Sequence, residues 1–400
     1  MKKKIITILS VLAVFAGCTK VEKIEIQVPV IPGSDEERAE KADYYANLRA
    51  YKESDHVLSY VFMGRYATLE GAENLNVEYA TLEHRFIALP DSLDIVNLWM
   101  GAPYPTDHSD FCWYKDGPGG TKVADYGYDY SPAAYADMQY CREVKGTKFV
   151  LHADASKYGQ QFDLIDPRLD AEGNPVLDEN GKPVNDTTHY TLSRNVKASQ
   201  EAYAEFLYRK CLAYKIDGLD FDYEGWDATR IENVINYLAP KMGPQAETEE
   251  GKKLLLIIDY WSSIPPSSTF AKCSYIVRQA YSVQLGINSS SSLGGTGIPN
   301  DKYIICEQWE QGSPVNYTQG GKRWGNPSTN ENGEDLYSME AYALYCKQGN
   351  AKGFGAYYID NDYKYSVTSS RGTFPTYGYL RNAIRAANPI KEAQPNEEGE

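Results

Sequence analysis

The chain is poor in the residues that metal and disulfide sites require. Its five histidines are scattered, with no H-x-x-x-H or comparable ligand set, so we infer no catalytic metal and no cofactor. None of its seven cysteines stands in a C-x-x-C spacing. We interpret those beyond residue 18 mainly as small buried hydrophobic side chains, because Cys211, Cys273 and Cys306 lie in or beside apolar runs. A disulfide among them stays open, with no pairing that the sequence can assign.

Basic residues are also scarce. The 40 Lys and Arg residues against 55 Asp and Glu residues give a net charge of -15. This acidity disfavours nucleic acid and anionic membranes as partners, since both bind basic patches, but it does not restrict neutral sugars. With 42% hydrophobic and 24% charged residues, 400 residues suffice for one large folded domain or two small ones.

No apolar run is long enough to span a bilayer. The longest candidate, residues 5–16, supplies about twelve mostly apolar residues where a span needs about twenty. It follows Lys2, Lys3 and Lys4 and leads through small residues into Cys18, which is the arrangement of a secretory signal. A short membrane anchor is the alternative, and the length of this apolar stretch argues against it.

A cysteine placed directly after Ala16 and Gly17 resembles the bacterial lipoprotein signal, although Phe15 stands where such signals prefer leucine. The resemblance implies cleavage after residue 17 and a lipid on Cys18. The membrane would then be contacted through the lipid anchor only, and we expect it to be the outer membrane, with the protein at the cell surface.

Four segments are expected along the chain. Residues 1–17 form the lipoprotein signal peptide, and residues 18–35, rich in Val, Pro, Lys and Glu, form a tether. Residues 36–388 form one folded domain that begins with a polar helix at 36–51. Residues 389–400 are polar and acidic, and we expect a flexible tail there.

Short apolar runs alternate with helical stretches through this domain. The predicted strands are residues 56–63, 94–100, 147–153, 216–224, 254–260, 275–283, 302–309 and 352–360. The further predicted helices are residues 132–144, 198–214, 228–242, 336–347 and 377–387. Eight strands interleaved with helices indicate an α/β protein with the (β/α)8 architecture of a TIM barrel.

One loop, residues 165–193, repeats a turn-forming composition around short apolar segments. This pattern predicts a hairpin that projects from the loop after the third strand. A disordered surface loop is the alternative.

Three carboxylates occupy every second position of the fourth predicted strand. Because strand side chains alternate between faces, Asp220, Asp222 and Glu224 share one face. Crowded carboxylates cannot all ionise cheaply, so at least one pKa is raised, and Glu224 is the candidate acid. A stack that binds loop amides or a metal ion is an equal alternative for an isolated D-x-D-x-E. A Ca²⁺ loop is excluded, since its twelfth position would be Ile231.

The six tryptophans fall on one end of the expected barrel. Each lies at the end of a predicted strand or in the loop that follows, namely Trp99, Trp113, Trp226, Trp261, Trp309 and Trp324. This is the C-terminal face, where barrel enzymes place their sites. Aromatic rings there can pack against the apolar faces of sugars. The 34 tyrosines of the chain agree with this, although packing is the better explanation for any single tyrosine.

The octapeptide at residues 217–224, DGLDFDYE, resembles the D-G-x-D-x-D-x-E signature of glycoside hydrolase family 18 at every defined position. That family comprises chitinases and endo-β-N-acetylglucosaminidases on a (β/α)8 barrel, with the signature on the fourth strand. The resemblance implies a substrate-assisted retaining mechanism. Glu224 would be the general acid, Asp222 would hold the substrate's 2-acetamido group, and Asp220 would tune their protonation. Asp217 and Gly218 would have structural roles.

The sixth strand distinguishes two branches of the family. Chitinases carry M-x-Y-D there, whereas this chain has Gln279 and Tyr281 on one face and Ser282 after the tyrosine. Tyr281 would donate its hydroxyl to the acetamide. The missing aspartate makes the closer resemblance the endo-β-N-acetylglucosaminidase branch, which cuts between the two core GlcNAc residues of N-glycans. The eighth strand agrees, since it ends in tyrosines rather than the tryptophan of chitinases.

Substrate-binding residues are expected at the same end of the barrel, and they are Gln279, Trp226, Trp261, Gln308, Trp309 and Tyr358. Glu307 could line the cleft or join an ion pair. Asn97 and Tyr66 are weaker candidates, and His152 fits a core histidine better than a catalytic one.

The sequence therefore predicts a surface-anchored endo-β-N-acetylglucosaminidase that acts on N-glycans or other GlcNAc-containing oligosaccharides. Other glycan-uptake proteins of the outer membrane are candidate partners. Two alternatives stay open. One is a chitinase or chitooligosaccharide hydrolase, and the other is a non-catalytic glycan-binding lipoprotein that kept the barrel.

Overall fold

The computed structural model describes residues 35–64, 85–99, 101–103, 113–116, 122–125, 132–153, 158–224, 227–281, 283, 289–294, 297–309 and 317–389. The predicted signal, Cys18, Tyr66, Trp226 and the predicted tail beyond residue 389 lie outside these ranges, as does the tether up to residue 34. Of Trp113 only the backbone is described.

Eight parallel strands close into a barrel. In chain order they are β1 Leu58–Phe62, β2 Ile95–Leu98, β5 Lys148–Ala153, β8 Gly218–Asp222, β9 Leu255–Tyr260, β10 Tyr275–Gln279, β11 Tyr303–Gln308 and β12 Gly353–Tyr357. Each strand lies inside one of the eight predicted runs, and β12 pairs back onto β1. The TIM-barrel prediction is confirmed.

Side-chain alternation along these strands separates two apolar cores. A small inner core fills the barrel with residues such as Leu58, Ile257 and Ile304. A larger outer core packs the opposite faces against the helices, with residues such as Val61 and Phe221. At the closing seam, a Cβ on Gly355 would lie 1.4 Å from the carbonyl oxygen of Tyr60, so only glycine lets β12 approach β1 there.

The helices surround this barrel. They are α1 Asp35–Glu53, α2 Pro132–Tyr140, α3 Lys197–Ala213, α4 Ala228–Leu238, α5 Glu249–Lys253, α6 Ser338–Lys347 and α7 Gly378–Ala387. All six predicted helices are confirmed with shifted ends, and α2 continues as a π-helical turn, Cys141–Lys145. The short α5 was not predicted. Between β9 and β10 the chain makes a 3-10 turn, Ser267–Thr269.

The predicted hairpin is confirmed, and it starts four residues earlier than expected. Strands β6 Gln161–Pro167 and β7 Asn185–Thr191 pair along their whole length. They join β3 Trp113–Asp116 and β4 Lys122–Asp125 in a four-stranded sheet. The ring of Phe162 anchors this sheet by packing against Phe206 of α3, with ring centroids 5.1 Å apart. A second hairpin, β13 Val367–Ser369 and β14 Gly372–Phe374, follows β12.

The five cysteines of the described ranges are buried and free, which agrees with their interpretation as small buried hydrophobic side chains, and they are Cys141, Cys211, Cys273, Cys306 and Cys346. No helix in the described part of the chain is long and apolar enough to cross a membrane.

Candidate active site

The carboxylate row on β8 runs from the barrel interior to its mouth. Leu219 and Phe221 are fully buried in the outer core, so the residues between them point inward. Asp220 is fully buried, Asp222 is half-buried and Glu224, just past the strand, is exposed. The last carboxyl is therefore the one that solvent and a substrate can reach.

The two residues that begin the signature have structural contacts. Asp217 forms a two-pronged ion pair with Arg142, with both N–O distances at 2.7 Å, and it accepts a hydrogen bond from the Phe149 amide. A Cβ on Gly218 would lie 2.2 Å from the carbonyl oxygen of Leu255. Both agree with the structural roles expected for these residues.

Asp220 lies at the bottom of the site within a polar cluster. Its Oδ2 accepts hydrogen bonds from the Tyr60 hydroxyl and from Asn97 Nδ2, the latter at 2.8 Å. Burial raises the pKa of Asp220 to about 6, and these hydrogen bonds oppose the rise. The cluster thus includes Asn97, one of the weaker sequence candidates, and Tyr60, which was not predicted.

Gln279 connects the carboxylates. Its Nε2 lies 3.4 Å from Asp222 Oδ1, and its side chain also hydrogen-bonds Glu224. Partial burial raises the pKa of Glu224, and the hydrogen bond from Gln279 opposes this shift. Glu224 consequently keeps its proton to a higher pH than an ordinary glutamate, which suits a general acid.

Sequence reasoning missed a fourth carboxylate, Asp259 on β9. It is fully buried and stands in register with Asp222 of the neighbouring strand. Its Oδ2 accepts a 2.7 Å hydrogen bond from Gln279 Nε2. Burial raises the pKa of Asp259 well above its usual range, and the charges of Asp220 and Asp222 raise it further. The signal was present, since one aspartate interrupts an otherwise apolar strand with the inward alternation of Leu255 and Ile257.

Tyr281 lies next to these carboxylates at the end of β10. Its ring stacks on Tyr357, with centroids 6.0 Å apart and planes at 29°. Burial and the nearby Asp259 charge raise the pKa of Tyr281 well above 10. Its hydroxyl therefore stays protonated and can donate a hydrogen bond.

Aromatic rings form one wall of the mouth. Tyr357 contacts Trp99 at 5.3 Å and Tyr358 at 4.6 Å between ring centroids. Tyr358 has a left-handed backbone, φ 59°, and its ring covers Gly64, where an added Cβ would lie 2.2 Å from a Tyr358 ring carbon. A non-glycine residue in this conformation costs about 1–3 kcal/mol, and such strain clusters at functional sites.

The prediction that the tryptophans line the mouth of the barrel is partly wrong. Trp309 and Trp324 are buried in the outer core, so they cannot contact a sugar, and the substrate-binding assignment of Trp309 is overturned. The physical reason is alternation: Cys306 points into the barrel, so Gln308 does too, while Trp309 points outward. Trp261, 41% exposed, follows the inward alternation of Asp259 and remains available at the mouth.

Two further sequence candidates are placed by the barrel. His152 is half-buried beside Asn97, with 3.5 Å between His152 Nδ1 and Asn97 Nδ2, and it stands in register with Asp220. It belongs to the polar cluster rather than to an apolar core. Glu307 is fully buried on the outward face, and its Oε1 accepts a hydrogen bond from the Gln308 amide. Within the described ranges, no group of three or more His, Cys, Asp or Glu residues is arranged to hold a metal.

A family model for the endo-beta-N-acetylglucosaminidase EndoS TIM-barrel domain matches residues 156–357. No protein of curated function matches the chain. Among solved structures, a glutamate-to-glutamine variant of BT1044 is similar at 19% identity and TM-score 0.55, covering 90% of this chain and 98% of that one. At this identity the similarity shows a shared fold.

Two more solved structures have lower scores. An endo-beta-N-acetylglucosaminidase from Cordyceps militaris, in complex with fucosyl-N-acetylglucosamine-Asn, has 19% identity and TM-score 0.48, covering 86% of this chain and 95% of that one. A family 18 chitinase from Pseudoalteromonas aurantia has 11% identity and TM-score 0.43, covering 82% and 99%. The family model spans half of the chain and includes the carboxylate row. The chain therefore belongs to the family of the endo-beta-N-acetylglucosaminidase EndoS TIM-barrel domain, and with it to glycoside hydrolase family 18.

Proposed function

We propose that this protein is an endo-β-N-acetylglucosaminidase that cleaves the GlcNAc-β-1,4-GlcNAc core of N-glycans. The observation that carries the proposal is the arrangement of Asp222 and Glu224 at the barrel mouth, both contacted by Gln279, with Tyr281 beside them. A half-buried carboxyl group next to an accessible carboxyl whose pKa is raised is the arrangement that suits substrate-assisted hydrolysis.

In the first step, Glu224 gives its proton to the glycosidic oxygen as that oxygen leaves C1. The carbonyl oxygen of the substrate's own 2-acetamido group forms the new bond to C1, which gives an oxazolinium-like intermediate. Asp222 accepts a hydrogen bond from the acetamide N–H and offsets the positive charge that develops there. Tyr281 donates its hydroxyl to the acetamide.

In the second step, water attacks C1 and the bond to the acetamide oxygen breaks. Glu224, now ionised, takes the proton of the water, which restores the starting state. Each of the two steps inverts the configuration at C1, because the new bond forms on the face opposite to the bond that breaks. Two inversions retain the anomeric configuration.

The choice of endoglycosidase over chitinase rests on β10 and β12. Tyr281 and Ser282 stand where the chitinases of the family carry a Tyr-Asp pair, and the end of β12 presents Tyr357 and Tyr358 rather than tryptophan. Trp261, exposed at the mouth, adds a flat apolar surface for a sugar ring.

Mass spectrometry of high-mannose and complex-type glycoproteins after incubation with the protein tests the proposal. The expected product is a protein that keeps one GlcNAc at each cleaved site, and Glu224→Gln is the inactive control. Shortening of chitin oligomers with intact glycoproteins would instead support the chitinase alternative. If the wild type and Glu224→Gln both bind glycans and neither releases them, the non-catalytic alternative is supported.

Anchoring is a separate part of the proposal and rests on the sequence around Cys18. The intact protein should fractionate with membranes and be accessible to protease added to whole cells. Cys18→Ala should move it out of the membrane fraction. A variant that stays in that fraction would show that a lipid on Cys18 is not the anchor.

A further inference from the structure

Two buried carboxylates of the site each have an oxygen with an incomplete set of partners. Asp220 and Asp259 are fully buried, and their Oδ2 atoms accept hydrogen bonds from Tyr60 and Asn97 in one case and Gln279 in the other. The Oδ1 atoms of both have no N–H or O–H donor among the described residues. The Asp259 carboxyl and backbone amide both lie near Asp220, although no described donor meets the Oδ1 atoms with good hydrogen-bond geometry.

Neither carboxylate forms an ion pair with a Lys, Arg or His residue of the described ranges. Two uncompensated charges at this depth would be strongly unfavourable. One proton shared by the two carboxyl groups removes one charge and supplies a donor that these buried oxygens lack. The burial of both carboxyl groups and the missing donors at their Oδ1 atoms therefore favour one shared proton.

We infer that Asp259 is a positioning residue for the proposed reaction, which keeps the proton of Asp220 in the buried pair and directs the Gln279 amide toward Asp222 and Glu224. The inference rests on the proposed function only for its kinetic consequences. The proton and the hydrogen bonds are properties of the folded protein itself.

The consequence for the reaction lies in the charge of Asp222. Without Asp259, Asp220 would share its proton with Asp222, the next carboxyl on the same face of β8. Asp222 would then be neutral for part of the time and could not stabilise the positive acetamide. With Asp259 present, Asp222 remains an anion while Glu224 keeps its proton.

Gln279 supplies the second half of the role. An amide whose Nε2 donates 2.7 Å to Asp259 Oδ2 has its orientation set, because the reverse orientation would bring two acceptors together. The same Nε2 faces Asp222 Oδ1 at 3.4 Å. Among the described residues, the titratable groups near this pair include Asp222, Glu224, Tyr60, Tyr281 and Cys306, and His152 stands in register with Asp220.

Two substitutions of similar volume separate these functions. In Asp259→Asn, the amide can donate to Asp220 and its oxygen can accept from Gln279, so both hydrogen bonds survive without a titratable group. In Asp259→Leu both are lost, and because the buried Asp220 and Gln279 are left without this partner, we expect a lower melting temperature in a protein that still folds. Melting temperatures of both variants verify this.

For glycoprotein cleavage we expect Asp259→Leu to lower kcat by about thirtyfold, as for loss of hydrogen bonds to charged groups, with little change in KM. The acidic limb of its kcat/KM profile should move to higher pH, because Asp222 now competes with Asp220 for a proton. Asp259→Asn should keep at least about a third of kcat, with the acidic limb unmoved. A structural role alone would not shift that limb.

Wild-type kcat and an unmoved acidic limb in a folded Asp259→Leu would overturn the inference while leaving the proposed function intact. Infrared difference spectroscopy provides a readout that needs no activity. At neutral pH the wild type minus Asp259→Asn spectrum should show the C=O band of one protonated carboxyl. Absence of that band would refute the shared proton, even if no glycoprotein is cleaved.

Discussion

Replacing Glu224 by glutamine removes the proton of the proposed acid and keeps the shape of its side chain. Glu224 is exposed at the mouth of the barrel, and its contact in the site is the hydrogen bond with Gln279, which a glutamine can still form. Folding and glycan binding should therefore be almost unchanged. The loss should appear in the chemical step.

The magnitude follows from general acid catalysis, which contributes about 10²–10⁴-fold. The substitution also removes the base that takes a proton from water in the second step. Because both steps are impaired, we expect kcat to fall by about 10³-fold or more. This corresponds to about 4 kcal/mol of transition-state stabilisation. The pKa of Glu224 is raised, so wild-type activity should persist to a higher pH than an ordinary glutamate permits and fall as the pH rises through that pKa.

The assay compares two leaving groups. With a glycoprotein, the leaving group is the hydroxyl oxygen of the GlcNAc that stays on the protein, and it needs a proton. With an activated aryl glycoside, the leaving group is a stable phenolate that needs none. Glu224→Gln should lose far less on the aryl substrate in the first step. The matched control is Glu179→Gln, an exposed glutamate in the β6–β7 hairpin, which should behave as wild type on both. Equal losses on both substrates would show that Glu224 is not the acid.

Three further predictions concern other carboxyl and hydroxyl groups. Asp222→Asn should reduce kcat on glycoproteins by about 10²-fold or more in steady-state assays, since charge stabilisation of the acetamide is lost. Tyr281→Phe should cost less, about 1–2 kcal/mol of transition-state energy, and an unchanged rate would show that another group holds the acetamide. Burial raises the pKa of Asp362 to about 7, so the folded protein loses stability as the pH rises from about 4 to 7. In Asp362→Asn the side-chain oxygen can still accept a hydrogen bond from the Leu380 amide. At pH 8 this variant should have a higher melting temperature than the wild type, with a free energy of unfolding larger by up to about 4 kcal/mol. At pH 4 the two proteins should be equally stable.

The barrel strands could be predicted because their signal is local. Each is a short apolar run bounded by polar residues, and strand alternation then divides the side chains of each run between two faces. The same rule placed Asp220, Asp222 and Glu224 on one face, and the structure puts them on the inner one. Helix ends were less accurate, since α4 ends at Leu238 rather than 242, two residues before Pro240, which cannot continue the helix.

The site residues that sequence reasoning missed or misplaced needed knowledge of neighbouring strands. Asp259 is one aspartate in an apolar run, and its importance appears only when the register puts it beside Asp222. Trp309 was assigned to the cleft from its position at a strand end, yet alternation turns it into the outer core. Gln308 and Trp309 could not both face the site, because consecutive strand residues face opposite ways.

The sequence by itself determined the strand count, the α/β alternation, the family signature and the face that carries its carboxylates, because each depends on residues that are close along the chain. Tertiary structure alone decided which groups surround those carboxylates. Tyr60, Asn97, Asp259 and Gln279 come from four different strands and meet only when the barrel closes. The protonation of the site depends on these long-range contacts, because burial and neighbouring charges set a pKa and neither is a property of a single segment.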